Sequence, residues 1–321
     1  MALAAGREPT LTKPEGALGR LEELAAWLSC WQGRHPPRLD RPQACVFAGN
    51  HGVVRHGVSA FPADVTAQMV ANFEAGGAAI NQLCHVAGAE LSVWPLDLDR
   101  PTQDFTAEAA MEEEDCVRAI AVGIDAVDPA ADVVCLGEMG IGNTTAASAL
   151  CHALLGLTAD DWRGPGSGVG DQVLRLKAAT VAAAVQQHGA GITDGLEALR
   201  RLGGRELAAI AGAVIGGRLK RVPVMLDGFI CTAAAAVLRD LAPNILDHCM
   251  VAHVSAEPAH RLLVESLGKR PLFDLGLRLG EGSGAVLAVG ILKGAVACHS
   301  GMATFAEAGV AEKCAGSEGK G

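Results

Sequence analysis

The sequence of 321 residues lacks tyrosine, and aromatic residues make up only 3% of it. It also lacks an excess of positive charge, because 26 basic residues face 36 acidic ones and the net charge is −10. A protein that binds nucleic acid needs a basic surface to replace the counterions that the phosphates release. The composition therefore argues against nucleic acid as a partner and leaves small molecules or other proteins.

Long apolar runs and paired cysteines are also missing. No apolar run reaches the roughly 18 residues of a membrane-spanning helix, and the longest candidate, AVLAVGILKGAVA, contains Lys293. The first residues show no apolar segment after a basic start, so no secretory signal is predicted. The 10 cysteines are scattered singly, without a C-x-x-C pair. We therefore predict a cytoplasmic protein that does not bind a membrane and whose cysteines are buried, reduced thiols.

The sequence does contain a repeated alternation of short apolar strands and longer helices. Strands are predicted at 44–50, 90–98, 132–137, 222–226 and 250–254, and the main helices at 15–31, 62–87, 114–127, 143–156, 171–189, 228–240, 257–267 and 281–297. Apolar faces made largely of small residues suit helices that pack closely on a parallel sheet. We predict an α/β fold with a mostly parallel, Rossmann-like sheet and helices on both faces. Residues 41–297 would form this large domain and carry the active site, and residues 1–40 with 298–321 would form a small helical lobe.

One glycine-rich loop stands out because it follows a predicted strand and leads into a helix. Residues 137–144 have the G-x-x-x-x-G-x-T spacing of a triphosphate-binding loop, but Asn143 stands where that loop has its lysine. The dinucleotide fingerprint G-x-G-x-x-G/A also fails, since Thr145 occupies its last position. What remains is either a phosphate site built from backbone N–H groups at a helix N-terminus or a plain turn. A second glycine loop at 166–171 precedes a helix containing Lys177 and favours the phosphate site.

Two glutamates and two histidines are candidates for chemistry. Glu138 lies in the first glycine loop, where it either acts at a sugar or reaction centre or is a solvated loop residue. Glu307, in MATFAEAGV, has the residue pattern of a glutamate at the end of a helix. His51 and His56 lack a third ligand at helical spacing, so the sequence implies no metal.

Taken together, eight stretches of the chain resemble the nicotinate-nucleotide:dimethylbenzimidazole phosphoribosyltransferase family. They cover nearly the whole sequence: 12–25, 47–80, 136–150, 166–177, 223–235, 253–263, 271–288 and 302–310. Single glycine loops are weak signals, but this ordered set is specific. The chain departs mildly from the family pattern, with GSG where G-T-G is frequent and KPEGALG where P-P-G-S-L-G is frequent.

The resemblance implies a reaction and a set of site residues. The reaction transfers 5-phosphoribosyl from nicotinate mononucleotide to 5,6-dimethylbenzimidazole with inversion, giving α-ribazole 5′-phosphate and nicotinate without a cofactor or metal. The resemblance implies that Glu307 is the general base, that Glu138 is a second active-site glutamate, and that the protein is a homodimer. The phosphate site would comprise Gly140, Gly142, Asn143, Thr144, Gly166, Gly168 and Lys177, and the benzimidazole pocket would include Ser59, Gln68, Met69 and Phe305.

Two other functions are compatible with a nucleotide-binding α/β protein. A non-catalytic sensor of nucleotide or benzimidazole would need neither glutamate, so the presence of both Glu138 and Glu307 argues against it. A nucleotide-dependent oxidoreductase is disfavoured by the incomplete dinucleotide fingerprint. The transferase is therefore the leading hypothesis.

Overall fold

The core of the chain is a parallel β-sheet. The computed structural model describes residues 2–164, 166 and 170–311, and in that part the sheet has five strands. They are β1 Pro42–Ala48, β2 Glu90–Pro95, β3 Val133–Met139, β4 Val224–Leu226 and β5 Cys249–Val251, in the order β2-β1-β3-β4-β5. Every neighbouring pair is parallel. The predicted α/β class with a parallel sheet is confirmed.

The described residues contain thirteen α-helices. They are α1 Ala2–Arg7, α2 Arg20–Gln32, α3 Val65–Glu74, α4 Ala79–Ala87, α5 Glu113–Ala126, α6 Asn143–Leu155, α7 Asp171–His188, α8 Gly195–Leu202, α9 Arg205–Lys220, α10 Phe229–Ala236, α11 Pro258–Ser266, α12 Ser283–Gly301 and α13 Phe305–Ala308. Short 3₁₀ turns occupy Glu8–Thr10, Gly52–His56 and Gly189–Gly191.

The predicted single helix at 62–87 is wrong, because the structure has two helices there. Helix α3 ends at Glu74, and Gly76 then adopts a φ of 77°, a left-handed conformation that ends a helix. The amide of Gly77 donates to the carbonyl of Asn72 at 3.0 Å and completes the turn. The apolar spacing continues across this break, so periodicity alone did not reveal it.

Close packing of small residues holds α5 against α9. A Cβ atom at Gly123 would lie 1.8 Å from the carbonyl oxygen of Ala209, and one at Gly212 would lie 2.0 Å from that of Ile120. Only glycine permits this approach of two helix backbones. The high content of small residues is thus used for helix packing, as the composition indicates.

The chain divides into two compact units. Residues 40–289, here called the sheet unit, contain all five strands, and residues 1–39 with 290–321, here called the terminal unit, contain both chain ends. Helix α12 runs through the boundary between Val289 and Gly290. In the terminal unit, Leu11 forms a β-bridge with Thr304, which joins the N-terminal segment to the C-terminal one.

Helix α12 also bears on the expectation about membranes. By length and composition alone it could cross a membrane, a test that core helices of soluble proteins also pass. The part of α12 within the sheet unit includes Ala285, Val286, Ala288 and Val289, which are completely buried. These first turns therefore belong to the protein core.

Candidate active site

A cavity of about 700 Å³ opens at the carboxyl ends of the strands, within the sheet unit. Parallel α/β sheets bind their ligands at this edge. The end of β3 and the loop after it contribute residues 138–141, 143 and 144, and the segments after β4 and β5 contribute residues 228–230, 253, 255 and 257. Residues 276–281 form a further part of the lining, and Phe61, Val65 and Met69 add apolar surface.

The glycine loop between β3 and α6 is shaped by very close backbone contacts. A Cβ atom at Gly140 would lie 2.7 Å from the carbonyl oxygen of Gly49, so a side chain cannot be accommodated. Gly142 has a φ of 95°, and a Cβ atom there would meet Val54 Cγ2 at 2.7 Å. The loop therefore enters α6 at Asn143 with its glycines in positions that backbone geometry requires.

Lys177 connects this loop with the second glycine loop. Its side chain is buried, and Nζ donates to Thr144 Oγ1 at 3.0 Å and to the carbonyl of Gly164 at 2.8 Å. Burial lowers its pKa to about 8, and the nearby Glu257 carboxylate opposes this shift. Gly166 lines the cavity next to Thr144, whereas Gly168 lies outside the described residues. The structure thus places Thr144, Lys177 and Gly166 together, as a phosphate site would require.

Glu138 is buried within β3 and is not a solvated loop residue. Its carboxyl accepts a short hydrogen bond from the amide of Asn143. Burial raises the pKa of Glu138 to about 8, and the negative charge of Asp227 adds to the increase. Glu138 is therefore largely protonated at neutral pH in the unliganded protein.

Two further glutamates line the same cavity, and sequence analysis did not identify them. Glu257 and Glu281 are both buried, and burial raises the pKa of each carboxyl. In each, one carboxylate oxygen has no hydrogen-bond partner. Glu281 also has a φ of 64°, a strained conformation for a residue with a side chain, which is often associated with functional sites. The available signal was position, because HVSAEP follows a strand and GEGS precedes a helix.

The two candidate histidines, His51 and His56, have separate partners. His51 Nε2 lies 2.5 Å from Glu206 Oε1, and both side chains are completely buried. His56 Nε2 lies 2.7 Å from Asp104 Oδ2. Glu206 packs beneath the glycine loop, since a Cβ atom at Gly140 would lie 3.0 Å from its Oε1. The His51–Glu206 pair thus supports the loop from inside the protein.

The four residues predicted to bind the benzimidazole lie in different places. Met69 lines the cavity, together with Phe61, which the sequence analysis did not single out. Ser59 accepts a hydrogen bond from the amide of Phe61 at 3.1 Å and thereby shapes this segment. Gln68 is exposed on α3 and is not among the lining residues. Phe305 lies in the terminal unit.

Glu307 lies on α13 in the terminal unit, where it caps the helix. Thr304 N donates to the Glu307 carboxylate at 2.7 Å, and Glu307 N donates to Thr304 Oγ1 at 3.1 Å. The backbone hydrogen bond from Thr304 lowers the pKa of Glu307. The side chain is exposed in the chain described, which differs from the dry surroundings that the sequence analysis expected for this base. The reason is that the capping box turns the carboxylate toward the helix N-terminus.

A cavity lined by a glycine loop and buried carboxyl groups, with a buried lysine that contacts the lining residue Thr144, defines an α/β protein of the nucleotide-binding class. Residues 1–310 match a family model described as phosphoribosyltransferase. A nicotinate-nucleotide–dimethylbenzimidazole phosphoribosyltransferase from Ruegeria sp. is 61% identical over 306 residues, which are 95% of this chain and 90% of the relative. The enzyme of the same name from Cereibacter sphaeroides is 59% identical over 307 residues, or 96% and 91% of the two chains.

Solved structures agree with these sequence matches. The crystal structure of CobT from Thermus thermophilus superimposes with a TM-score of 0.91 at 44% identity, covering 97% of this chain and 99% of that one. The chain belongs to the nicotinate-nucleotide–dimethylbenzimidazole phosphoribosyltransferase family. The resemblance found in the sequence is thereby confirmed.

Proposed function

We propose that the protein transfers the 5-phosphoribosyl group of nicotinate mononucleotide to 5,6-dimethylbenzimidazole, for the nucleotide loop of cobalamin. The relatives carry the name of this reaction. The observation that carries the proposal is the cavity, which is lined by a glycine loop and several buried carboxyls, with the buried Lys177 behind the lining residue Thr144. The part of the cavity next to Thr144 suits a phosphate, and the part next to Glu138 suits the positively charged bond between the sugar and the base.

The phosphate of the nucleotide binds at the loop between β3 and α6. Lys177 provides a positive charge, and Thr144 provides a hydroxyl at 3.0 Å from it. Backbone N–H groups at the start of α6 and the helix dipole add further stabilisation for an anion. A monophosphate has no outer phosphates, so the lysine of a triphosphate loop is not needed at Asn143.

The buried carboxyls suit a substrate whose leaving group is a pyridinium. Nicotinate mononucleotide carries a positive charge on the ring nitrogen that is bonded to C1′. A positive charge close to Glu138 favours its ionised form and lowers the pKa that burial has raised. The carboxylate then stabilises the positive charge that develops on the ribose as the pyridinium departs.

Departure of nicotinate requires no general acid, because the ring becomes neutral when the C1′–N bond breaks. One nitrogen of dimethylbenzimidazole forms the new bond to C1′ from the opposite face, which converts the β-nucleotide into the α-nucleotide. The attacking ring gains positive charge, so the proton on its other nitrogen becomes acidic. Glu307, whose pKa is low, takes that proton.

The direct test is incubation of the metal-free protein with nicotinate mononucleotide and dimethylbenzimidazole. We expect chromatography to show an α-nucleotide and an equal amount of nicotinate. Folded protein that forms no product at saturating substrates would refute the transferase. If the product were the β-nucleotide, the transfer would stand and only the inversion at C1′ would be refuted.

The proposal also includes a cytoplasmic location and a homodimer. The nine cysteines in the described part of the chain are free thiols, and seven of them are buried, as suits a reducing compartment. The capping position of Glu307 leaves its side chain exposed in one chain, and a second chain covering α13 would give this base a drier environment.

A further inference from the structure

We propose that His253, held by Asp227, hydrogen-bonds a hydroxyl group of the substrate's ribose. This inference rests on the proposed function and extends it, because nothing in the family match assigns a role to either residue. His253 would be a substrate-binding residue, and Asp227 would be a positioning residue that acts through it.

The sheet places His253 opposite Glu138 with a gap between them. Leu136, Leu226 and Val251 are paired across three neighbouring strands. Glu138 and His253 each follow the paired residue of their strand by two positions, and Gly228 does the same on the middle strand. Neighbouring strands are about 4.8 Å apart, so the outer two positions are separated by about 10 Å. Gly228 has no side chain to fill that space.

All three of these residues line the cavity, and the space above Gly228 is suited to a ring the size of a pentose. A Cβ atom at Gly228 would lie 3.5 Å from Ser255 Cβ and 3.6 Å from His253 Nε2, in ordinary contact. The glycine is therefore not required by packing in the protein alone. A ligand that approaches the backbone closely at this point gives a reason for it.

His253 is buried, at 2% exposure, yet neither ring nitrogen has a hydrogen-bond partner. Nε2 lies 3.4 Å from Asp227 Oδ1, which is a charge contact but too poorly aligned for a hydrogen bond. A buried polar group without a partner is costly, and in a cavity wall it indicates a group that a ligand satisfies. His260, which lies next to it, differs, because its two nitrogens bond to Ser255 N and Thr232 Oγ1.

The surroundings of His253 fix the plane of its ring. Phe273 stacks on it with centroids 5.7 Å apart, and His260 meets it edge-on at 6.3 Å. On the α12 side, a Cβ atom at Gly284 would lie 2.1 Å from His253 Cδ2, so glycine is required there. Asp227 and Asp274 are the acidic residues whose charge acts on the ring. The ring can therefore present its nitrogens to a ligand in one orientation only.

Asp227 is itself fixed by α12. Its two oxygens accept from Ala285 N at 2.9 Å and Gly282 N at 3.2 Å. This carboxylate is thus anchored at the N-terminus of a helix, where a negative charge is favourable. Nε2 is the ring nitrogen that lies near Asp227 Oδ1, at 3.4 Å, and near the space above Gly228, where a Cβ atom would lie 3.6 Å from it. With its proton on Nε2, which the charge of Asp227 favours, His253 donates to a hydroxyl oxygen of the ribose, since a hydroxyl accepts as well as donates.

The first test pairs His253→Ala with substrates that lack one hydroxyl. We measure kcat/KM with nicotinate mononucleotide and with its 2′-deoxy and 3′-deoxy analogues. The wild type should prefer the parent over one analogue by about tenfold or more, and His253→Ala should lose that preference. His253→Gln, which retains an N–H donor, should restore part of it. An equal loss of kcat/KM for all three substrates would mean a structural role and overturn the proposal.

The second test does not depend on turnover. By calorimetry, His253→Gln and His253→Ala should weaken the binding of ribose 5-phosphate but leave that of inorganic phosphate unchanged. His248→Gln is the matched control, since His248 is a buried histidine that bonds to the Val214 carbonyl and is not among the lining residues. Unchanged binding of ribose 5-phosphate, or equal weakening of both ligands, would refute the contact.

These outcomes are distinct from a failure of the transferase itself. If the wild type binds ribose 5-phosphate in a manner that depends on His253 but forms no α-nucleotide, the sugar contact stands and the proposed reaction falls. If the α-nucleotide forms and the variants keep full preference for the parent nucleotide, the reaction stands and the role of His253 falls.

Discussion

At the residue scale, two glutamates with proposed roles in one reaction lie in opposite environments. Burial raises the pKa of Glu138 to about 8, whereas hydrogen bonds from Thr304 lower the pKa of Glu307. Environments that separate two pKa values commonly separate two roles in catalysis. Glu307 is available as a base across the neutral range, and Glu138 becomes ionised when a positive charge binds beside it.

The first prediction concerns Glu307→Gln. Glutamine keeps the size of the side chain and an oxygen that accepts from Thr304 N, so the cap on α13 should remain. It cannot accept the proton of the benzimidazole. We expect kcat to fall by about 10²–10⁴-fold while the dissociation constant of nicotinate mononucleotide stays unchanged. Steady-state kinetics and calorimetry measure these two quantities.

Thr304→Ala provides the control for the capping role. It removes the hydroxyl cap but leaves the carboxylate, so it should lower thermal stability slightly and retain most of the turnover. An unchanged kcat in Glu307→Gln would remove this residue as the base.

The second prediction concerns Glu138→Gln and pH. The folded-state pKa of about 8 lies above the unfolded value of 4.5, so the folded protein retains a proton that the unfolded chain loses. The stabilising contribution is therefore complete below pH 4.5 and is lost as the pH rises toward 8. Each pKa unit corresponds to about 1.4 kcal/mol. We expect Glu138→Gln to increase the free energy of unfolding near pH 8 and to have little effect near pH 4.5.

Urea denaturation at the two pH values tests this expectation. Glu197→Gln is the control, and its expected effect on stability has the opposite sign. The hydrogen bond from Arg200 outweighs desolvation, so the pKa of Glu197 is lowered to about 2. Its substitution should destabilise the protein near pH 8, where the ion pairs with Arg200 and Arg201 are present. An effect of Glu138→Gln that does not vary with pH would contradict the raised pKa.

At the element scale, the loop between β3 and α6 depends on glycines whose neighbours approach too closely for a side chain. Asn143 N donates to the Gly140 carbonyl at 3.2 Å and Thr145 N donates to Gly142 at 3.0 Å, which starts the helix. The loop is supported from below by the buried pair of His51 and Glu206. Its shape is therefore built into the unliganded protein.

The third prediction concerns Gly142→Ala. A φ of 95° and the contact with Val54 make alanine unfavourable there by about 1–3 kcal/mol. We expect a lower urea midpoint together with an increased KM for nicotinate mononucleotide, because the loop positions Thr144 and the start of α6 in the proposed phosphate site. Gly189→Ala is the matched control, since Gly189 has a negative φ and open space around it. It should change neither quantity, and a Gly142→Ala protein that resembles this control would contradict the role of the loop.

Elements were predicted well where the hydrophobic pattern was strong and less well where helices ended. The strands β1 to β5 all lie within a few residues of their predicted positions. The predicted helix at 228–240 ends at Ala236, and the one at 15–31 begins at Arg20. Both differences arise because continued apolar spacing does not report the turn at which backbone hydrogen bonding changes.

At the scale of the whole molecule, the fourth prediction is the assembly state. We expect the protein in solution to have twice the 32.8 kDa mass of one chain. Sedimentation equilibrium over a range of concentrations measures this mass and the dissociation constant. If kcat per chain falls on dilution below that constant, the active site needs the second chain. A monomer with full activity would contradict the dimer.

Some residues of the candidate site could be predicted from the sequence, and others could not. The resemblance to the family implied a phosphate site with Gly140, Asn143, Thr144 and Lys177, and in the structure Lys177 donates a hydrogen bond to Thr144. Glu257, Glu281 and His253 were missed, although each lies in a stretch that resembles the family. These residues are candidates because they are buried and carry polar atoms without hydrogen-bond partners, and neither property can be read from the spacing of residues in the sequence.

The sequence by itself determined the class of fold, the order of strands and helices along the chain, and the family. These depend on local patterns of apolar residues, glycines and ordered motifs, which are present in the sequence before the chain folds. Only the tertiary structure decided that burial raises the pKa of Glu138 and that His253 lies without a partner across Gly228 from Glu138. Those properties depend on desolvation and on contacts between residues far apart in sequence, and they exist only once the sheet has formed.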